Sequence, residues 1–328
     1  MKYRTLGRTG VSVSEIGFGA WALGGGWGNQ PEEESLAALG QAIDLGVNFI
    51  DTAAGYGDGR SERIIGRVIQ ERREKLFVAT KTPPAPGPWP PSPYCAIEER
   101  YPESYLRDNI EERRRNLGVD TIDLLQLHTW TRAWNKNPRA LDTLKKLQAE
   151  GKIRHIGIST PEQDQNAVID LMRRGYLDTV QVIYNIFEQE PAAELLPAAL
   201  EHKVGVIVRV VFDEGALTGK FRRGQKFADD DFRSRYFAGD RVDRVVERVA
   251  RIEEDVRRVS PGRKLTMPEV AILFALAHPA VSSVIPGIRN VAQARANTAV
   301  SELAPLSDAL RLELRGHAWL RGVWYGGK

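Results

Sequence analysis

A short β-branched run, a polar or glycine-rich turn and an amphipathic stretch recur as one unit along most of the chain. The first apolar run, Ile16-Gly17-Phe18, leads through a Gly/Trp-rich loop into residues 32–45. There Leu36, Leu39 and Ile43 fall at i, i+3 and i+7, the spacing of one buried helical stripe. Gly46 supplies the stop. Further apolar runs follow at Phe49-Ile50, Phe77-Val78-Ala79, 122–127, 153–158, 180–183, 204–208 and 281–285. Helical patterns lie after Arg60 and over 104–117, 139–149, 162–173 and 192–200, and Gly151 and Gly175 end two of them. Strands alternating with helices indicate βαβ units and a parallel sheet. Eight such units predict an α/β fold of the closed (β/α)₈ type, a TIM barrel, as one domain over 1–328. Residues 2–6 and 11–14, joined by Gly7-Arg8-Thr9-Gly10, read as a β-hairpin ahead of the barrel. Residues 209–280 form a long insertion between the seventh and eighth strands. Its charged part, 213–240, reads as surface loop. An amphipathic helix follows over 241–258, with Val242, Val245, Val246, Val249 and Ile252 on one side, then a more buried helix over 267–277. A helix and a Trp/Gly tail lie past Leu306.

Composition acts mainly by exclusion. The 328 residues are 42% hydrophobic and 27% charged, which excludes disordered, collagen-like and disulfide-stapled classes. The 46 Lys plus Arg against 43 Asp plus Glu are too evenly matched for a polyanion binder, so no nucleic-acid partner is expected. The triple Arg113-Arg114-Arg115 follows Glu111-Glu112 and reads as a solvated helix face. One cysteine, Cys95, excludes an internal disulfide and any CxxC site, and no metal is expected. The longest apolar run, 270–277, is too short to span a bilayer, and Met1-Lys2-Tyr3-Arg4-Thr5 lacks the apolar stretch of a signal peptide. The expectation is a cytoplasmic protein without a membrane partner; a homo-oligomer stays open.

Two glycine motifs mislead. Residues 17–22 match G-x-G-x-x-A after a strand, but Leu23-Gly24-Gly25-Gly26 prevents the helix that a dinucleotide fingerprint requires. Residues 215–220 resemble a phosphate loop with one residue too few between the glycines and no Ser or Thr after the lysine. Barrel chemistry sits instead at the C-terminal strand ends. There the first polar residues are Asp51, Lys81, His128, Ser159 and Arg209; strand six carries Gln181, and strand eight runs into Pro286-Gly287-Ile288-Arg289. Tyr56 lies in the loop after strand two. Singly, each has an ordinary structural explanation. Together Tyr56, Lys81, Asp51 and His128 have a coherent use. A phenol with a reference pKa of ~10 is a poor proton donor at neutral pH, a nearby ammonium lowers that value, and a carboxylate holds the ammonium protonated. The set suits protonation of a carbonyl oxygen while hydride reaches its carbon.

At this point the sequence resembles the aldo-keto reductase family along nearly its whole length. The resemblance rests on Arg4-Thr5-Leu6-Gly7, Ser14-Glu15-Ile16-Gly17, 48–53 through Tyr56-Gly57, Ala79-Thr80-Lys81 and 123–128. It continues through Ile156-Gly157-Ile158-Ser159, Gln181 with Tyr184-Asn185, and Leu217-Thr218-Gly219-Lys220. It implies an NADPH/NADP⁺-dependent carbonyl reductase with Tyr56 as general acid, assisted by Asp51, Lys81 and His128. It also implies that Ser159 and Gln181 hold the nicotinamide carboxamide, and it adds Gly19, Trp21, Gly215, Leu217 and Lys220 to the cofactor set. Three positions depart from the common pattern: Thr160 where asparagine is common, Arg209 where many members stack an aromatic on the nicotinamide, and Gln293 where some branches carry a basic residue. A planar guanidinium also stacks, so Arg209 is expected to substitute for the ring.

The turn Pro286-Gly287-Ile288-Arg289 runs into a helix starting near Asn290, whose N–H groups and dipole favour an anion. A cation there is mildly unfavourable unless a phosphate sits against it, and the resemblance makes that the 2′-phosphate of NADPH, with Gln293 and Asn297 on the adenosine side. Trp21, Trp27, Trp89, Trp130 and Trp134 lie in loops on the catalytic rim and suggest an apolar substrate pocket, with Trp21, Trp27, Trp89 and Trp130 as its walls. The proline-stiffened run 83–93 is long enough to overhang it, and the tail with Trp319 and Trp324 is expected to help shape it. Two other functions compete: a nicotinamide-binding redox-sensing regulator of the channel β-subunit type, and an aldolase using Lys81 as a Schiff base.

Overall fold

Strand interiors buried on both faces and helices with one apolar stripe leave little choice but to wrap the helices around the strands. The computed structural model describes residues 1–25, 28, 30–72 and 74–319. The amino end is an antiparallel hairpin of β1 (Tyr3–Thr5) and β2 (Ser12–Ser14). Then come β3 (Phe18–Gly19), α1 (Glu32–Asp44), β4 (Phe49–Asp51), α2 (Arg60–Glu71), β5 (Phe77–Thr82), α3 (Ile97–Arg100), α4 (Glu103–Leu117), β6 (Ile122–Leu127) and α5 (Arg139–Ala149). The chain continues through β7 (Ile153–Ser159), α6 (Ile169–Arg173), β8 (Thr179–Ile183), α7 (Leu195–Glu201) and β9 (Gly205–Arg209). The insertion holds α8 (Arg233–Tyr236), α9 (Arg241–Val259) and α10 (Met267–Leu276), and β10 (Val281–Val284), α11 (Val291–Ala299) and α12 (Asp308–Arg315) complete it.

Among the described residues, eight parallel strands run in chain order from β3 to β10. The two ends meet through Gly17 N–H to Val284 O (2.8 Å) and Gly19 N–H to Pro286 O (3.1 Å), closing the barrel. Gly19 has no room for a side chain, since a Cβ would lie 2.6 Å from Ile285 O. The hairpin plugs the lower end. Leu6 and Val13 pack into one cluster with Phe49, Phe77, Ala79, Leu124, Ile207 and Ile285, side chains of the barrel interior.

The eightfold strand–helix pattern is therefore observed, with local differences. The helix predicted over 162–173 starts only at Ile169 after a 3-10 turn at Gln165–Val168, and Glu162 and Gln163 lie ahead of it in a cavity wall. The pattern over 192–200 likewise settles as α7, after a 3-10 turn at Glu190–Ala192. Within the loop after β5, α3 is an extra turn of helix, four residues long and so too short to show a helical period. On α9 the buried stripe is Val242, Val245, Val249, Ile252 and Val256, and Val246 is only half-buried. Almost every apolar residue of α10 is buried, which explains its continuous hydrophobic run. Among the described residues no helix is long and apolar enough to cross a membrane.

One buried ion pair ties the layers together. Glu62 on α2 accepts from Thr80 Oγ1 on β5 (2.6 Å) and from Asn116 Nδ2 on α4 (3.0 Å), and it lies 2.8 Å from Arg113 Nε. Both charged side chains are almost fully buried. Burial pushes the Glu62 carboxyl up, against the opposing pull of Arg113. Removing one partner strands the other charge, so Glu62→Ala is expected to destabilise the fold by about 3 kcal/mol, read from denaturant unfolding. A loss below ~0.5 kcal/mol, the ordinary range of surface substitutions, would show that Arg113 is satisfied by Glu112 alone.

Candidate active site

The site is the upper continuation of the barrel interior. Side chains two residues apart on a strand share a face. Phe49, Ala79, Leu124 and Ile207 of the apolar plug are followed two positions later by Asp51, Lys81, Gln126 and Arg209. The register places Lys81 beside Gln126 and Gln181 beside Ser159.

Lys81 is the hub and is 1% exposed. Its Nζ donates to Asp51 Oδ1 (2.5 Å), Thr52 O (2.9 Å) and Tyr56 Oη (3.2 Å). An ammonium has three donors and no acceptor, so all three are used. The phenol oxygen accepts from Lys81, and Tyr56 also belongs to the wall of a cavity. Asp51, 2% exposed, is held through Oδ2 by Gln181 Nε2 (2.7 Å) and Gln126 Nε2 (3.1 Å). Tyr56 itself is placed by a tight backbone crossing. A Cβ at Gly24 would lie 2.5 Å from the Tyr56 carbonyl carbon, and Gly57, at φ +64°, would meet Gly24 O at 2.4 Å.

The His128 ring stands edge-on between Tyr56 (centroids 6.1 Å apart) and Trp89 (5.8 Å). Its Nδ1 is buried without a hydrogen-bond partner among the described residues. Burial, then the Lys81 and Arg209 cations, hold its pKa well below the ordinary value, so the imidazole is neutral. Burial raises the Tyr56 pKa and outweighs the lowering by Lys81; the expectation that the ammonium would bring the phenol toward neutral pH is thus corrected. Burial opposes charge on Lys81, yet Asp51 and Tyr56 outweigh it and the pKa rises. With all three donors engaged and Asp51 beside it, Lys81 is held as an ammonium, an arrangement that does not favour its use as an amine nucleophile.

A cavity of about 90 Å³ opens over this set, with Tyr56, Trp89, His128, Ser159, Gln181 and Arg209 in its wall. Arg209 reaches Glu162 Oε1 (3.5 Å) and Thr160 O (3.3 Å), and its Nε is buried without a partner among the described residues. Val210 follows at φ +56°, a strained conformation for a β-branched residue, where strain often marks a functional loop. A larger cavity of about 310 Å³, between 216–223 and α9, contains none of these residues.

Not every predicted residue converges here. Trp130 is 1% exposed; its Nε1 donates to Asn135 Oδ1 and its ring packs edge-on against Trp134, so it is core and not a pocket wall. Trp21 lies against Phe232 (5.1 Å) and is absent from the cavity wall among the described residues. Trp27 and Trp324 lie outside the described residues, while Trp319 packs on Phe187 and Arg248. Leu217 is buried in the core, beside Gly215 at φ +97°, and Lys220 is exposed. The last strand's turn is braced internally: Arg289 N–H donates to Gln293 Oε1 (2.8 Å), Gln293 N–H to Asn290 Oδ1 (2.9 Å) and Asn297 Nδ2 to Gly287 O (3.5 Å). Thr160 Oγ1 is engaged by Gln181 O and Gln165. Gln126 was missed as an Asp51 ligand. Its signal is a polar residue inside an apolar strand, two before His128 and so on the same face. Glu162 and Gln163 carried no comparable signal.

The fold defines the class as a (β/α)₈ barrel, and the family match makes it an oxidoreductase. The family model described as the aldo/keto reductase family matches residues 15–314, and the chain belongs to that family. It is 34% identical over 238 residues to Aldo-keto reductase YhdN of Bacillus subtilis (strain 168), covering 71% of this chain and 69% of the relative. It is 28% identical over 328 residues to the NADH-specific methylglyoxal reductase of Escherichia coli (strain K12), covering 94% and 96%. The holo form of aldo-keto reductase AKR11C1 from Bacillus halodurans superposes with a TM-score of 0.76 at 26% identity, covering 97% and 96%.

Proposed function

We propose that this chain reduces aldehydes or ketones to alcohols with NADPH, using Tyr56 as the general acid. The observation that carries the reading is the buried series Asp51–Lys81–Tyr56 ending at the cavity beside a neutral His128. The rim residues also fit the cofactor. Gly287 is exposed, and a Cβ there would meet nothing within 4 Å; Arg289 stands at the start of α11, whose N–H groups favour an anion. Arg209, Ser159 and Gln181 line the same cavity. Bound there, NADPH supplies hydride to the carbonyl carbon. Tyr56 donates its phenol proton to the carbonyl oxygen. Lys81 keeps that phenol oriented and Asp51 keeps Lys81 charged. The neutral His128 orients the same oxygen by a hydrogen bond, and Trp89 offers the substrate an apolar wall.

The test is oxidation of NADPH by a panel of aldehydes, ketones and sugars, followed by absorbance, with rapid turnover expected for at least one class. Cofactor binding without turnover would favour the regulatory reading. Since one relative is named NADH-specific, the phosphate preference must come from this chain's own residues. Arg289→Ala is expected to weaken NADPH about tenfold or more while sparing NADH, the size of a charge-assisted contact of ~1.5–3 kcal/mol. An unchanged ratio of the two dissociation constants would discard the phosphate assignment.

A further inference from the structure

Gln30 is 4% exposed in the segment between β3 and α1, and its side chain is committed to a residue far along the chain. Its Nε2 donates to Arg289 O (2.8 Å), and its Oε1 accepts from Arg289 Nε (3.0 Å). Arg60, at the start of α2, anchors the same segment by donating to Gln30 O (2.8 Å) and Leu23 O (2.5 Å). A tie needed only to hold this segment to the last turn would be met by the backbone carbonyl. The second contact goes to the guanidinium itself.

We propose that Gln30 is a positioning residue that sets discrimination between 2′-phosphorylated and unphosphorylated dinucleotides by fixing the plane of Arg289. This rests on the proposed phosphate contact of Arg289. A guanidinium binds phosphate through N–H groups in one plane, and directing Nε at a buried amide oxygen constrains that plane. The Arg289 backbone is held at the same time, through its carbonyl by Gln30 and its N–H by Gln293. An arginine ordered before binding loses less rotamer freedom on binding, an advantage of about three- to tenfold in affinity for one long side chain.

Gln30→Met keeps the length and burial of the side chain and removes both hydrogen bonds. Gln30→Glu keeps an acceptor for Nε and sets a negative charge beside the guanidinium. Dissociation constants for NADPH and NADH, and for adenosine 2′,5′-bisphosphate and adenosine 5′-monophosphate as half-ligand probes, are measured with thermal unfolding as the check on folding. The expected result for Gln30→Met is about three- to tenfold weaker binding of the two 2′-phosphorylated ligands with little change for the others, and a larger loss for Gln30→Glu. Equal weakening of all four ligands would reduce Gln30 to a loop anchor and overturn the proposal. So would unchanged affinities alongside a lost preference in Arg289→Ala, which would leave the phosphate site itself standing. Unchanged ratios in Arg289→Ala as well would overturn both.

Discussion

Tyr56→Phe is expected to slow single-turnover reduction by about 10²–10⁴-fold, the usual contribution of a positioned general acid. The substitution keeps the ring, which stands edge-on to His128 and 5.0 Å from Lys81 Nζ, so folding and cofactor affinity should persist. Single-turnover rates are required because product release can mask chemistry. His128 is a weak substitute donor, since burial and two cations keep it neutral. The wild-type rate should hold through neutral pH and fall only on the alkaline side of the ordinary phenol range, because burial raises the Tyr56 pKa. A Tyr56→Phe enzyme at the wild-type rate would remove Tyr56 as the acid, and His128→Gln would then decide whether the imidazole takes that part.

Lys81→Met should affect both stability and rate. It leaves Asp51 buried with amide partners but no countercharge, at a cost of about 3–5 kcal/mol measured by denaturant unfolding near neutral pH. Because the folded-state pKa of Lys81 is raised, its contribution is fully present below the unfolded value of ~10.4 and is lost as pH rises through the folded value. The stability gap between wild type and variant should therefore narrow in strong alkali. Lys81 lowers the phenol pKa, so any residual activity should show its alkaline fall at higher pH than wild type. A fall moved to lower pH, or a gap that widens with alkali, would contradict the hub role of Lys81.

Much of the candidate site could be read from residue order because a parallel barrel sends its strand ends to one rim. Asp51, Lys81, His128, Ser159, Gln181 and Arg209 each end or occupy an apolar run, and the fold gathers them at one end. The tryptophans show the limit of that logic. Trp89 and Trp130 both follow strands on the same rim, yet one lines the cavity and the other is buried against Trp134. Loop position places a residue near the opening, but the packing of its neighbours decides which way the ring turns.

The alternation of apolar runs and amphipathic stretches was sufficient for the barrel, its hairpin and the insertion, because periodicity and strand burial are local consequences of residue type. The identities of the four candidate catalytic residues were equally local. Their electrostatics were not. Whether Lys81 lowers the Tyr56 pKa or burial raises it is a contest between desolvation and charge that depends on the depth of the assembled site, and burial wins. Gln126 and Gln181 on Asp51, and Gln30 on Arg289, join residues distant in the chain, and nothing short of barrel closure brings such pairs within hydrogen-bond reach.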